Sequence, residues 1–134
     1  MRILTIHNYY KQAGGEDTVF HAEAALLEQY GHQVEKLTFS NKEVNSVSEK
    51  LQAALGVMYN PGSAKLVEER IKAFQPDVIH VHNFFPLLSP AVFYVAQRMQ
   101  VPIVMTLHNY RLVCPSALLY YNGKVQLENL RKTF

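Results

Sequence analysis

The 134-residue sequence has a single cysteine, Cys114, and no tryptophan. One thiol excludes an internal disulfide and every metal site built from several thiolates, a state that a reducing compartment accommodates. Charge of one sign is also lacking. Thirteen Lys and Arg against eleven Asp and Glu leave a formal net charge of +2, with no basic run or stripe. Nucleic-acid binding depends on such a stripe, so nucleic acid is not expected as a partner. No apolar run reaches the ~18 residues of a membrane span. The opening Met1-Arg2-Ile3-Leu4-Thr5-Ile6-His7 turns polar too soon for a signal peptide. The expected location is cytoplasmic, with peripheral contact at the inner face of the cell membrane left open. Repeats, low-complexity stretches and linkers are missing too. A second core would be crowded at this length, so residues 1–134 are read as a single domain. With 49% hydrophobic and 18% charged residues, that domain is expected to fold.

What is present is an alternation of strands and helices. Ile3 to His7 reads as a strand, followed by a turn at Gly14-Gly15. Asp17 or Thr18 opens a helix with Val19, Phe20, Leu26, Leu27 and Tyr30 at helical spacing, and Gly31 closes it. Val34 to Phe39 reads as the second strand. From Asn41 to Phe74 the pattern is helical in two pieces, broken at Asn60-Pro61-Gly62. Asp77 to His82 is the third strand, Ser89-Pro90 an N-cap and first-turn pair for a helix to about Met99, and Pro102 to Leu107 the fourth strand. Asn122-Gly123 between Tyr121 and Lys124 marks a tight hairpin. Such alternation predicts an α/β fold: a Rossmann-like, doubly wound parallel sheet in the order 2-1-3-4, with helices on both faces.

Ligands of such sheets bind beyond the carboxyl ends of the strands. Three segments would converge there: Asn8 to Glu16, His82 to Leu88, and His108 to Arg111. Gly14-Gly15 before a helix suits either a tight turn or a phosphate held by backbone N–H groups and the positive helix end. The G-x-G-x-x-G pattern is absent and Phe39-Ser40, not an acid, closes the second strand, which disfavours a dinucleotide cofactor. His80 and His82 share one face of a strand. They are either packed and crevice-lining side chains or a metal pair in need of a third ligand, with His7 and His108 as candidates. His108 with Asn109 and Tyr110 is either a solvated strand end or a donor to a phosphate or sugar hydroxyl. Phe84-Phe85-Pro86-Leu87-Leu88 is either core filler or an apolar patch for an acceptor, a lipid or a partner domain. Glu16 and Asp17 at a helix start complement its dipole, and Cys114 reads as a buried thiol.

Gly14-Gly15-Glu16-Asp17, Leu26-Leu27 and Gly31-His32-Gln33-Val34 resemble the G-G-x-E…L…G-H-x-V opening of the retaining, nucleotide-sugar-dependent GT-B glycosyltransferases of family 4. Asp77-Val78-Ile79-His80-Val81-His82-Asn83 is similar to that family's D-V-I-H-x-H segment, and Thr106-Leu107-His108-Asn109-Tyr110-Arg111 to its T-x-H-N/D strand end. The match is collinear from residue 1 to about 125. The resemblance implies the acceptor-side N-terminal domain of a two-domain hexosyltransferase that makes cell-surface polysaccharide or lipid-linked glycans. The donor-binding C-terminal domain is absent here, so the isolated chain is expected to be an incomplete enzyme. It further implies that the Gly14-Gly15 loop approaches the donor diphosphate, with Glu16 among the substrate-binding residues, and that His108 contacts the transferred sugar and its phosphate. His82, Asn83, Asn109 and Tyr110 would line the substrate side, with no metal and no cofactor besides the nucleotide-sugar substrate. Asp17 stands where the family commonly has glutamate, and Gln126 to Phe134 is a charged, helix-capable tail where the family often has cysteine. Self-association through an exposed inter-domain face is a further expectation. Two other classes remain in view: a glycan- or partner-binding module without catalysis, and a nucleotide-cofactor domain.

Overall fold

The computed structural model describes residues 1–10, 12–40, 59–85, 87–114, 117–125 and 127. The first helical piece predicted after Asn41 and the tail from Gln126 lie outside the described residues, apart from residues 59–60 and 127.

Four parallel strands form the sheet: β1 (Arg2–Tyr9), β2 (Gln33–Ser40), β3 (Val78–Val81) and β4 (Ile103–Met105), in the order β2-β1-β3-β4. This is the predicted order. β1 runs two residues past the predicted His7 because β2 offers it partners to the end, Asn8 opposite Phe39 and Tyr9 opposite Ser40. α1 (Gly15–Gln29) joins β1 to β2, α2 (Pro61–Phe74) leads into β3, and α3 (Ala91–Arg98) joins β3 to β4.

Period-two alternation divides each central strand between two environments. Leu4 and Ile6 of β1 and Ile79 and Val81 of β3 point into the main core. There they meet Ala64, Val67 and Ile71 of α2 and Val92, Val95 and Ala96 of α3. Thr5 and His7 of β1, with His80 of β3 and His82 just beyond it, occupy the opposite face under α1. That face is polar where the first is aliphatic. The predicted apolar stripe of α1 changes accordingly: Phe20 is fully buried, but Val19, Leu26 and Tyr30 are exposed. The inward side of the helix carries Asp17 and Glu23 instead, because imidazoles rather than aliphatics face it.

The turns follow local chemistry. α1 begins at Gly15, earlier than predicted, because Gly14 serves as N-cap. The Asp17 N–H donates to the Gly14 carbonyl at 3.2 Å, and the Gly14 N–H donates back to the Asp17 carboxylate at 3.4 Å. At the other end, Gly31 at φ 81° closes a Schellman motif, its N–H donating to the Glu28 carbonyl and that of His32 to Leu27. Asn60 caps α2, its Oδ1 accepting from the N–H groups of Gly62 and Ser63 at 3.0 and 3.2 Å. Its Nδ2 donates to the Leu87 carbonyl at 2.8 Å and its own N–H to the Ser89 hydroxyl at 2.9 Å. Ser89 is thereby drawn into a buried, left-handed position (φ 61°), and α3 starts at Ala91 with Pro90 as its cap residue. The Ser89 hydroxyl still accepts the Ala91 N–H, at 3.3 Å. Asn122 and Gly123, both at positive φ, turn β5 (Tyr120–Tyr121) into β6 (Lys124–Val125) as predicted.

Candidate functional site

Because β1, β3 and β4 are adjacent and parallel, their carboxyl ends deliver His7-Asn8, His82-Asn83 and Thr106 to Asn109 to one edge. The Asn8 N–H donates to the Asn83 carbonyl at 3.1 Å, and the His82 N–H to the Ile6 carbonyl at 2.9 Å, which locks the first two segments together. Asn83, His108 and Asn109 line a shallow cleft with Tyr10, Phe84, Met105 and Arg111. A second groove, of about 270 Å³, is lined by Tyr9, Tyr10, Ala13, Asp17 and Ser40. Tyr10 borders both.

The predicted residues divide among these places. His82 is fully buried behind the cleft, and Asn83 is buried at its wall. Gly14, Gly15 and Glu16 form the start of α1, next to Asp17 in the second groove. Tyr110 is exposed and takes part through its backbone: its carbonyl accepts from Val113 and Cys114, and its N–H donates to Ala117. Of the apolar loop, Phe84 and Leu88 belong to the core while Phe85 packs against it half-buried; Pro86 lies outside the described residues.

Imidazoles dominate the electrostatics. His82 Nδ1 and His108 Nε2 share a hydrogen bond of 3.1 Å, with the rings stacked at 5.3 Å. His80 Nε2 is hydrogen-bonded to Thr106 Oγ1 at 2.8 Å. His7 lies flat on Phe20, ring centroids 4.8 Å apart, and its Nε2 meets the Asp17 carboxylate at 2.8 Å. Burial is the largest influence on three of these rings and lowers their pKa values. It outweighs the Asp17 carboxylate at His7 and Glu23 at His80. At His82, burial together with the neighbouring His80, His108 and His7 brings the pKa down to about 3. A neutral His82 is therefore the native form at neutral pH.

Glu23 was not legible as a site residue. Its Oε2 approaches His82 Nε2 at 3.3 Å and His80 Nδ1 at 3.7 Å, and these three atoms all lie within 4.8 Å of one another. Both Glu23 Oε2 and His82 Nε2 are buried and without a hydrogen-bond partner, since the short approach is misaligned for one. The side chain that approaches both His80 and His82 is thus Glu23, where the sequence suggests His7 or His108. His108 instead holds the other nitrogen of His82, and His7 is committed to Asp17. Glu23 lies three residues past Phe20, on the side of α1 that turns toward the sheet, a spacing that does not by itself mark a site residue. Asp17 likewise does more than complement a helix dipole, because His7 bonds its carboxylate.

Among solved structures, the chain resembles a UDP-GlcNAc 2-epimerase from Neisseria meningitidis, determined with UDP-GlcNAc bound. The TM-score is 0.55 and the identity 12%, with all of this chain covered and 43% of the epimerase. At that identity the likeness shows the fold, a GT-B-like arrangement of which this chain spans less than half. No curated protein matches the chain. The family model for Glycosyltransferase Family 4 matches residues 3–132, which takes in all three strand-end segments and nearly the whole sequence. With the parallel four-stranded sheet in the order β2-β1-β3-β4 and its strand-end cleft already established, that match settles the family: the chain belongs to glycosyltransferase family 4, as a domain of the N-terminal GT-B type.

Proposed function

We propose that this domain is the acceptor-side half of a retaining hexosyltransferase. It would transfer a sugar from a nucleotide-sugar donor to a hydroxyl acceptor during synthesis of cell-surface polysaccharide or glycans. The observation that carries the reading is the cleft itself. Asn83 from the end of β3 and His108 and Asn109 from the end of β4 meet beside Tyr10, giving hydroxyl-binding groups over an apolar floor of Phe84 and Met105. In the proposed reaction the anomeric carbon–oxygen bond to the nucleoside diphosphate breaks, and the acceptor hydroxyl forms the new glycosidic bond as it loses its proton. His108 contacts the transferred sugar and its phosphate. The Gly14-Gly15 loop, at the positive end of α1, lies toward the diphosphate, and Glu16, His82, Asn83, Asn109 and Tyr110 support the substrate side.

The donor is gripped mainly by a second domain, and this chain alone binds without turnover. Coverage of only 43% of the epimerase supports that division. The acceptor is a glycan or a lipid-linked glycan, reached from the cytoplasm with peripheral membrane contact. Among the described residues, no helix is long and apolar enough to cross a membrane. Exposed Leu107, Leu112, Leu118, Tyr120, Tyr121 and Val125 offer a face for the second domain or for self-association. The test is release of nucleoside diphosphate from a panel of nucleotide sugars and acceptors, using the protein that carries both domains. His108→Ala is expected to cut turnover by about 100-fold with the fold intact. Wild-type turnover in that variant would remove His108 from the site. Saturable glycan binding with no donor consumed in the two-domain protein would favour a non-catalytic binding module.

A further inference from the structure

We propose that Glu23 Oε2, His80 Nδ1 and His82 Nε2 bind a divalent transition-metal ion, zinc being the best match to the ligand set. The site lies under α1, behind the cleft wall, and is argued independently of sugar transfer.

Geometry supports it first. Around a tetrahedral zinc with bonds of about 2.0–2.1 Å, neighbouring ligand atoms lie about 3.3–3.4 Å apart. Glu23 Oε2 is 3.3 Å from His82 Nε2 and 3.7 Å from His80 Nδ1, and all three atoms fall within 4.8 Å. The two carboxylate-to-imidazole separations are thus close to those of a zinc site. Satisfaction of polar atoms supports it next. Glu23 Oε2 and His82 Nε2 are buried at that short separation, yet no hydrogen bond joins them, and neither has another partner. Two polar groups left in this way cost free energy, and a cation between them satisfies both without requiring the linear alignment of a shared proton.

The surroundings are those of a metal centre as well. Each ligating imidazole has its remaining nitrogen held by a neighbour, Thr106 for His80 and His108 for His82, which fixes ring orientation. Both rings are biased to the neutral form that binds metals at neutral pH. The Glu23 side chain is 38% exposed although its Oε2 is buried, so the site lies close to solvent. Two imidazoles and one carboxylate select zinc, cobalt, nickel or copper over magnesium and calcium, which prefer all-oxygen sets.

The experiment uses the full chain, stripped with chelator and then titrated with Zn²⁺ by calorimetry and with Co²⁺ by absorption. About one equivalent is expected to bind, with the visible bands of four-coordinate cobalt. Excess Mg²⁺ should not compete. Glu23→Gln, which keeps the side chain's size and removes its charge, should weaken binding by about 10-fold or more, and His80→Ala should abolish it. Thr106→Val should weaken it by about 10-fold through loss of ring orientation alone. Absence of binding, or unchanged binding in both Glu23→Gln and His80→Ala, overturns the proposal. So does loss of binding in a His21→Ala/His32→Ala double variant, since the ion would then sit on surface histidines.

Discussion

Acidification should destabilise this domain well before its carboxylates titrate, and His82 sets the scale. Its pKa is about 3 in the folded chain, against 6.5 for a free imidazole. A depressed histidine pKa means that below pH 6.5 the unfolded chain takes up a proton the folded chain refuses. The associated stability is therefore complete above about pH 6.5 and declines as pH falls toward 3. Each pH unit in that window costs about 1.4 kcal/mol, so moving from neutral pH to about pH 5 removes about 2 kcal/mol. His7 and His80 are shifted in the same direction and steepen the loss. The groups facing His82 are His80, His108 and His7, which oppose its charge, and Glu23 on α1, which favours it. Against a typical stability of about 5–15 kcal/mol, such a decrement is easily measured. Urea unfolding in chelator, followed by circular dichroism at about pH 7.5 and about pH 5, supplies the two free energies. His82→Gln should lose roughly 1.4 kcal/mol per pH unit of that slope. Equal stability at both pH values, or an undiminished slope in His82→Gln, would refute the assignment of a neutral, desolvated ring.

Other changes test separate parts of the structure. Asp17→Ala leaves buried His7 Nε2 without its partner and should cost about 1–3 kcal/mol, read as a lower urea midpoint with unchanged slope against denaturant. Asn60→Ala removes the cap of α2 and its tie to the Leu87 carbonyl, for a loss of about 1–2 kcal/mol in the same assay. Ile79→Ala opens a cavity between the sheet and the α2–α3 layer and should cost about 2–5 kcal/mol. Gly31→Ala places a Cβ at φ 81° in the Schellman motif, and a drop of about 1 kcal/mol in thermal or urea unfolding is expected.

Legibility in the sequence was greatest where one local rule governed one segment. The Asp77–His82 run, introduced by Pro76, read as a strand, and Val78–Val81 of it form β3. Asn122-Gly123 and Gly31 needed positive φ, and both took it. Strand order followed from the handedness of crossovers, and position in that order brought the three strand-end segments together. Failure came where a residue answered to tertiary partners. Ser89 looked like a cap, but the Asn60 N–H, far away in sequence, pulled it into a left-handed turn. Leu26 and Tyr30 kept helical spacing without facing anything apolar, because the sheet beneath α1 carries His7, His80 and His82. Glu23 was invisible for the same reason. Nothing in helix periodicity distinguishes a solvated carboxylate from one set between two imidazoles.

The bond between His82 and His108 has one more consequence. A single proton occupies the line between His82 Nδ1 and His108 Nε2, so with both rings neutral their tautomers are tied. When His82 carries its proton on Nε2, facing Glu23, it must accept from His108, whose Nδ1 is then bare. When Nε2 of His82 is stripped of its proton, the ring must donate through Nδ1, and His108 carries its own proton on Nδ1. The pair is a two-position latch. Whatever occupies the space beside Glu23 decides whether His108, at the wall of the cleft, offers its far nitrogen as a lone pair or as an N–H.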